Sequence, residues 1–266
     1  MVNAVHRTGH ILLLHHSEGE RMRYLADWFA AGLLNDDKLF YVDVSGWGIE
    51  ALVAGLAGRG LDVDRALEGK RLEFVSLEEM LELGVEGGLV ERSLVDGGHA
   101  GVRLAVRGDA VADHVGVQQQ LAIESDLSRM CHQRHVSVLC QYDGRTTQQQ
   151  QLAVALDLHP DRVYEADLSL RRRGRVIAVE GILDSLDGEV LTRSLRRMTL
   201  EESTDSPVVL DLRHVEALTV GACRALVDGT RPYRERGGRV TCGTPTGDAG
   251  ALLSTVVRDA VRFELR

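Results

Sequence analysis

No stretch of this sequence is apolar for long enough to cross a bilayer. The longest runs, "GHILLL" (9–14) and "SPVVLDL" (206–212), fall far short of the roughly 20 residues a spanning helix needs. No positively charged start leads into a signal-type apolar segment, so the chain is expected to stay in the cytoplasm. Cysteine is scarce: Cys131, Cys140, Cys223 and Cys242 show no C-x-x-C spacing, and reduced thiols are expected. Proline is equally scarce, four in 266 residues, and no Pro- or Ser-rich linker divides the chain. Its parts are therefore expected to be packed or closely coupled. Positive charge is also short, with 31 Lys and Arg against 40 Asp and Glu and a net charge of −9. That balance argues against a nucleic-acid partner, which needs a basic face for phosphates.

What is present is alternation. "HILLLH" (10–15), "KLFYVDV" (38–44), "RLEFVSL" (71–77), "GVRLAVRG" (101–108) and "VSVLCQY" (136–142) read as strands separated by helical pattern. In "EGERMRYLADWFAAGLL" (18–34), Met22, Leu25, Phe29 and Leu33 fall on one helical face. Continuous apolar strands alternating with helices predict a parallel sheet covered on both faces, a three-layer α/β domain. The glutamine runs 118–120 and 148–151 read as solvent-facing turns within helical surroundings.

The rhythm changes after "LDLHPDRVYEAD". Two strand-like runs in 168–184 joined at Arg-Gly predict a hairpin, and a ββαβαβαβ order follows over about a hundred residues, a small domain. Charge shifts at the same place: residues 1–165 carry 15 basic and 25 acidic groups, residues 166–266 carry 16 and 15. Two domains are expected, 1–165 and 166–266.

Open parallel sheets bind ligands beyond the carboxyl ends of their strands. His15, His16, Asp109 and Asp143 all fall there, and could converge in one crevice. His10 and Cys140 lie inside strands, where a structural hydrogen bond and a core thiol are the plain expectations. Cys131 and His135 stand four apart in helical pattern, a spacing that can put two metal ligands on one face, although histidine is also favourable near a helix C-terminus. No metal site and no cofactor is assigned. The first loop, "HHSEGER" (15–21), has one glycine, no lysine and two glutamates, and so lacks G-x-x-x-x-G-K-[ST]. There is no G-x-S-x-G either. The chain is expected not to be an enzyme.

Three resemblances extend this reading. The element order of residues 1–165 resembles a RecA/KaiC-like core. More closely, "GHILLLHHSEGER" and "VLCQYDGR" resemble the two ends of a MEDS domain, the sensory module of DcmR-type regulators. His10 matches the opening histidine, Glu18 and Glu20 the acidic run, and Cys140, Tyr142 and Asp143 the closing motif. Glu124 matches a glutamate on the preceding helix, while His15 stands where an aromatic is usual. The resemblance implies a small-molecule ligand near His10, His15, His16, Asp109, Glu124, Cys140, Tyr142 and Asp143. Residues 166–266 resemble a STAS domain, the fold of anti-sigma factor antagonists. "VIAVEGILD" (176–184), "VVLDLRHVEAL" (208–218) and "RERGGRVTCGTP" (234–245) carry the likeness. It implies partner contacts at Asp184 and at the turn Thr219, Val220, Gly221 and Ala222.

The family's phosphoacceptor serine falls on Val220, which has no hydroxyl. Thr219 is expected to cap the following helix, the alternative being a displaced phosphosite. Together these imply a signalling regulator, acting in transcription regulation, that binds an anti-sigma factor or another STAS-binding protein. A homo-oligomer stays open. The alternatives are a metal- or haem-dependent sensor and a divergent RecA-like nucleotide-binding enzyme.

Overall fold

The computed structural model describes residues 9–44, 48–82, 88, 90, 93–94, 97–133, 135–159, 162–165, 168–183, 188–245 and 247–266. By contact the chain forms two compact units, Met1–Leu152 and Ala153–Arg266.

In the first unit, β1 (Gly9–His15) leads into α1 (Glu18–Leu34) and β2 (Asp37–Asp43). Next come α2 (Ile49–Ala57), α3 (Val63–Glu68), β3 (Leu72–Ser76) and α4 (Leu77–Glu82). β4 (Gly101–Arg107), α5 (Gly108–Val115), α6 (Val117–Gln133) and β5 (Val136–Asp143) follow. The strands lie in the order β1-β5-β4-β2-β3, and every pairing is parallel. A strand inside such a sheet has no solvent side, and β5 is buried along its whole length.

Side chains alternate between the two faces with period two. On one face α6 covers His10, Cys140 and Tyr142; on the other α1 covers Tyr41, Arg103 and Gln141. The three layers expected from the sequence are therefore present. The α1 face holds an ion pair with both partners inside the core: Arg103 Nε donates to Asp37 Oδ2 at 2.9 Å, and Nη1 donates to the Trp28 carbonyl at 2.9 Å. Gly32 makes room for it, since a Cβ there would stand 2.6 Å from Leu39 Cδ2 and 2.7 Å from Arg103 Cδ.

Helix α7 (Gln149–Leu158) contains the division between the units. The second unit continues with β6 (Arg162–Glu165), β7 (Leu168–Arg173), β8 (Val176–Leu183), α8 (Gly188–Thr199) and β9 (Val208–Leu218). It ends with α9 (Val220–Glu235), β10 (Val240–Gly243), α10 (Asp248–Val257) and β11 (Phe263–Leu265). Strands β6 to β11 lie in sequence order; β6–β7 and β7–β8 are antiparallel, the rest parallel. The hairpin and the ββαβαβαβ order expected over 168–265 are both found. Leu170, Val179 and Leu210 meet Leu195, Leu226 and Leu253 of the three helices in one core. Tyr233 ends that core with its hydroxyl donating to the Ser206 carbonyl at 2.8 Å.

The glutamine runs are not turns. Gln118–Gln120 lie in α6 and Gln149–Gln151 in α7, and Gln120 and Gln151 are buried. Cys131 and His135 do not share a helix either: α6 ends at Gln133, and His135 is exposed. No helix among the described residues is long and apolar enough to cross a membrane.

Candidate functional site

The residues expected to form one ligand site divide between two faces of the first unit's sheet. Parity decides this. His10 on β1 and Cys140 and Tyr142 on β5 point one way, while His15 and Asp143 point the other.

On the α6 face, Gln120, Glu124 and Ser128 recur every four residues and form a polar stripe on the helix. Glu124 is its centre. Its Oε1 accepts from the Tyr142 hydroxyl at 2.7 Å, and its Oε2 lies 2.9 Å from His10 Nε2 and 3.4 Å from the Cys140 thiol. His10 Nε2 and Cys140 Sγ are 3.3 Å apart, and His10 Nδ1 lies 2.7 Å from Ser128 Oγ. Gln120 Nε2 donates to the Tyr142 hydroxyl at 2.7 Å and to the Gly108 carbonyl at 3.2 Å. Gly108 has no side chain because the Tyr142 ring occupies that space. One arrangement that fits these contacts has the imidazole Nε2–H donating to the Glu124 carboxylate and Ser128 donating to Nδ1. Burial pushes the Cys140 thiol and the Tyr142 phenol well above their ordinary ranges, and the Glu124 charge adds to both shifts. All of these side chains except Ser128 are buried, so none meets a ligand at the surface.

The other face holds the second cluster, at the carboxyl ends of the strands. Arg21 of α1 is buried; its Nη1 donates to Gln141 Oε1 at 3.0 Å and to the Tyr41 hydroxyl at 3.3 Å, and its Nε donates to Glu18 Oε2 at 2.8 Å. Arg107 grips Asp109 through Nε at 3.1 Å and Nη2 at 2.9 Å. Arg145 does the same to Asp143, at 3.1 and 2.8 Å, and holds that carboxyl far below the usual carboxylate range. The Asp143 backbone N–H reaches Asp109 Oδ2 at 3.3 Å.

Among these paired charges sits His15, only 3% exposed, and among the described residues neither of its ring nitrogens has a hydrogen-bond partner. Burial lowers its pKa and Arg21 lowers it further, against the pull of Asp143, Asp109 and Glu18. The imidazole is therefore neutral near pH 7, with one donor and one acceptor unused.

His15, Asp109 and Asp143 thus meet, whereas His16 is exposed and its backbone N–H donates to Glu20 Oε2 at 2.8 Å. That bond belongs to the turn into α1, where the Ser17 hydroxyl accepts from the Glu20 N–H at 3.2 Å. The reciprocal pair is close to a capping box, with the Glu20 carboxylate bound to the N–H of the residue before the N-cap.

In the second unit Thr219 caps α9, its side chain accepting from the Ala222 N–H at 3.3 Å. Val220 is 44% exposed; Ala222 is fully buried and offers no surface to a partner, so that contact is corrected. Asp184 lies outside the described residues.

Two residues escaped sequence reasoning. Gln120 was hidden in a glutamine run, although its spacing from Glu124 was a usable signal. Arg21, one of two arginines on α1, gave none.

No curated protein matches this chain. Among solved structures it is similar to the flagellar accessory protein FlaH from Methanocaldococcus jannaschii, with a TM-score of 0.42, 10% identity, and 62% of this chain and 73% of that one covered. It is also similar to the KaiC-like protein PH0186 from Pyrococcus horikoshii OT3, with a TM-score of 0.43, 11% identity, and 65% and 78% covered. Likenesses this distant say nothing about chemistry. The sequence match is of another kind, since it spans residues 9–160 and takes in both polar clusters of the first unit: the chain belongs to the MEDS family, the MEthanogen/methylotroph, DcmR Sensory domain.

Proposed function

We propose that this chain is a non-enzymatic, cytoplasmic signalling regulator whose sensory unit binds a small, uncharged, hydrogen-bonding organic molecule beside His15. The observation that carries this reading is the buried imidazole with both nitrogens unpartnered among the described residues. A buried polar group without a partner costs about 1–3 kcal/mol, so a molecule that supplies the missing bonds is favoured there. The surrounding charges already compensate one another, Arg21 with Glu18, Arg107 with Asp109 and Arg145 with Asp143. Nothing in the cluster calls for a charged ligand; an alcohol or a carbonyl compound matches one donor and one acceptor.

Two features support a non-enzymatic reading. The β1–α1 turn has no lysine in the place of a phosphate loop, and among its amides the Glu20 N–H is taken by Ser17 Oγ and the His16 N–H by the Glu20 carboxylate. With Glu18 compensated by Arg21, the further carboxylate of Glu20 adds negative charge where a triphosphate would sit.

For residues 166–266, the reading is a STAS-like module that binds an anti-sigma factor or a related protein by shape. Val220 supports it, being exposed at the head of α9 where an acceptor hydroxyl would stand, with Thr219 committed to the cap.

Thermal denaturation of the full chain against a panel of small alcohols, ketones and aldehydes tests the ligand reading. At least one is expected to raise Tm in the wild type and not in His15→Leu. Equal shifts in both proteins, or none across the panel, would sink it. Incubation with an anti-sigma-type serine kinase and labelled ATP tests the other half: binding without label transfer is expected, and labelling at Thr219 refutes it.

A further inference from the structure

We propose that His10, Glu124 and Cys140 form a binding site for a thiophilic divalent cation of the zinc type. This rests on the cluster covered by α6 and is independent of the small-molecule reading on the opposite face.

The donor set comes first. An imidazole nitrogen, a carboxylate oxygen and a thiol sulfur are three of the four donors that tetrahedral zinc takes from proteins. Their ligand atoms all lie within 4.8 Å of one another, and they come from three separate elements, β1, α6 and β5. The pairwise separations are 2.9 Å (His10–Glu124), 3.3 Å (His10–Cys140) and 3.4 Å (Cys140–Glu124). One cation can touch all three after a spread of a few tenths of an ångström, given metal–ligand bonds of about 2.0–2.3 Å.

The outer contacts point the same way. Metal-bound histidines typically hold a hydrogen-bond partner on the other ring nitrogen, and ligating carboxylates are themselves hydrogen-bonded. Here Ser128 Oγ sits 2.7 Å from His10 Nδ1, and the Tyr142 hydroxyl, anchored by Gln120, donates to the Glu124 oxygen that faces away from the cysteine. Each support engages a different atom from the one that converges on the centre of the cluster. Without a cation those atoms share protons instead.

Charge decides the class. All three side chains are buried, so an added dication must be neutralised on the spot. Thiolate plus carboxylate carry two negative charges, and with neutral imidazole they leave the bound centre uncharged. The step balances as follows. The Cys140 thiol loses its proton to solvent, and the imidazole proton moves from Nε2 to Nδ1, where it is donated to Ser128 Oγ. Glu124 stays ionised, and one proton is released per cation.

The test uses the full chain, stripped with a chelator and titrated with Co(II), which reports its ligands spectroscopically, and with Zn(II) as competitor. The expected result is one Co(II) per chain, a thiolate-to-cobalt charge-transfer band, release of one proton and a Tm that rises with metal concentration. Cys140→Ser should lose the band while Cys131→Ser keeps it. Ser128→Ala, outside the ligand set, should weaken binding about 10- to 100-fold. Wild-type protein that is folded by circular dichroism yet shows no thiolate band overturns the proposal. So does Cys140→Ser with an unchanged cobalt spectrum. The wild-type spectrum decides the matter even where a variant fails to fold.

Discussion

Asp37→Ala is expected to damage the first unit more than any surface ion pair would. Asp37 is 1% exposed and Arg103 is 0% exposed, so neither charge has solvent to fall back on. The guanidinium would keep its bond to the Trp28 carbonyl at 2.9 Å and its place 5.1 Å from the Trp28 ring centre, but lose its counter-charge. Removing one partner of a buried pair typically costs about 3–5 kcal/mol. For a unit of this size that corresponds to a fall in Tm of about 6–20 °C. Both tryptophans, Trp28 and Trp47, belong to the first unit, so intrinsic fluorescence during urea denaturation reads that unit and not the second. A double variant, Asp37→Leu with Arg103→Met, removes the charge with its partner and should recover most of the loss. A single variant costing under about 1 kcal/mol, or a double variant less stable than the single, would show that the pair is not what holds β2, β4 and α1 together.

Thr219→Ala should cost the second unit about 1 kcal/mol through loss of the helix cap, while Thr219→Ser should be near neutral; circular dichroism during urea denaturation distinguishes them. His15 has a lowered folded-state pKa, so above about 6.5 it is neutral in both states, and its contribution is lost as pH falls below that value. Stability measured from pH 8 to pH 5 should therefore fall with acidification, and His15→Phe should flatten the decline; identical curves would contradict the assigned burial. Cys223 and Cys242 are pushed up to about 11 and about 12, chiefly by burial, so neither should alkylate at pH 8 until denaturant is added, as mass spectrometry would show.

Local pattern carried most of the architecture. Each strand of the first unit coincides with a short apolar run of the sequence, and α1 spans the segment whose apolar residues recur at helical spacing. The candidate site was legible only as a set of residues. The MEDS resemblance groups His10, Cys140 and Tyr142 with His15 and Asp143; parity along β1 and β5, countable from the sequence, sends them to opposite faces. Gln120 was read as a turn because a glutamine triplet has no apolar period, yet its four-residue step to Glu124 and on to Ser128 marks a helix stripe. The Asp37–Arg103 pair gave no sign of itself. A lone charge in a strand looks the same at an edge as in a core, and only the nonlocal neighbours Trp28 and Gly32 decide which it is.

Strand β5 carries Cys140, Gln141, Tyr142 and Asp143 in succession, each serving the opposite cluster from its neighbour. Deleting one residue upstream of them within the strand would thus do more than shorten it. It would swap the two chemistries, presenting the thiol and phenol to the arginines and the amide and carboxylate to His10. The segment therefore tolerates exchange of side chains far better than any change in its length.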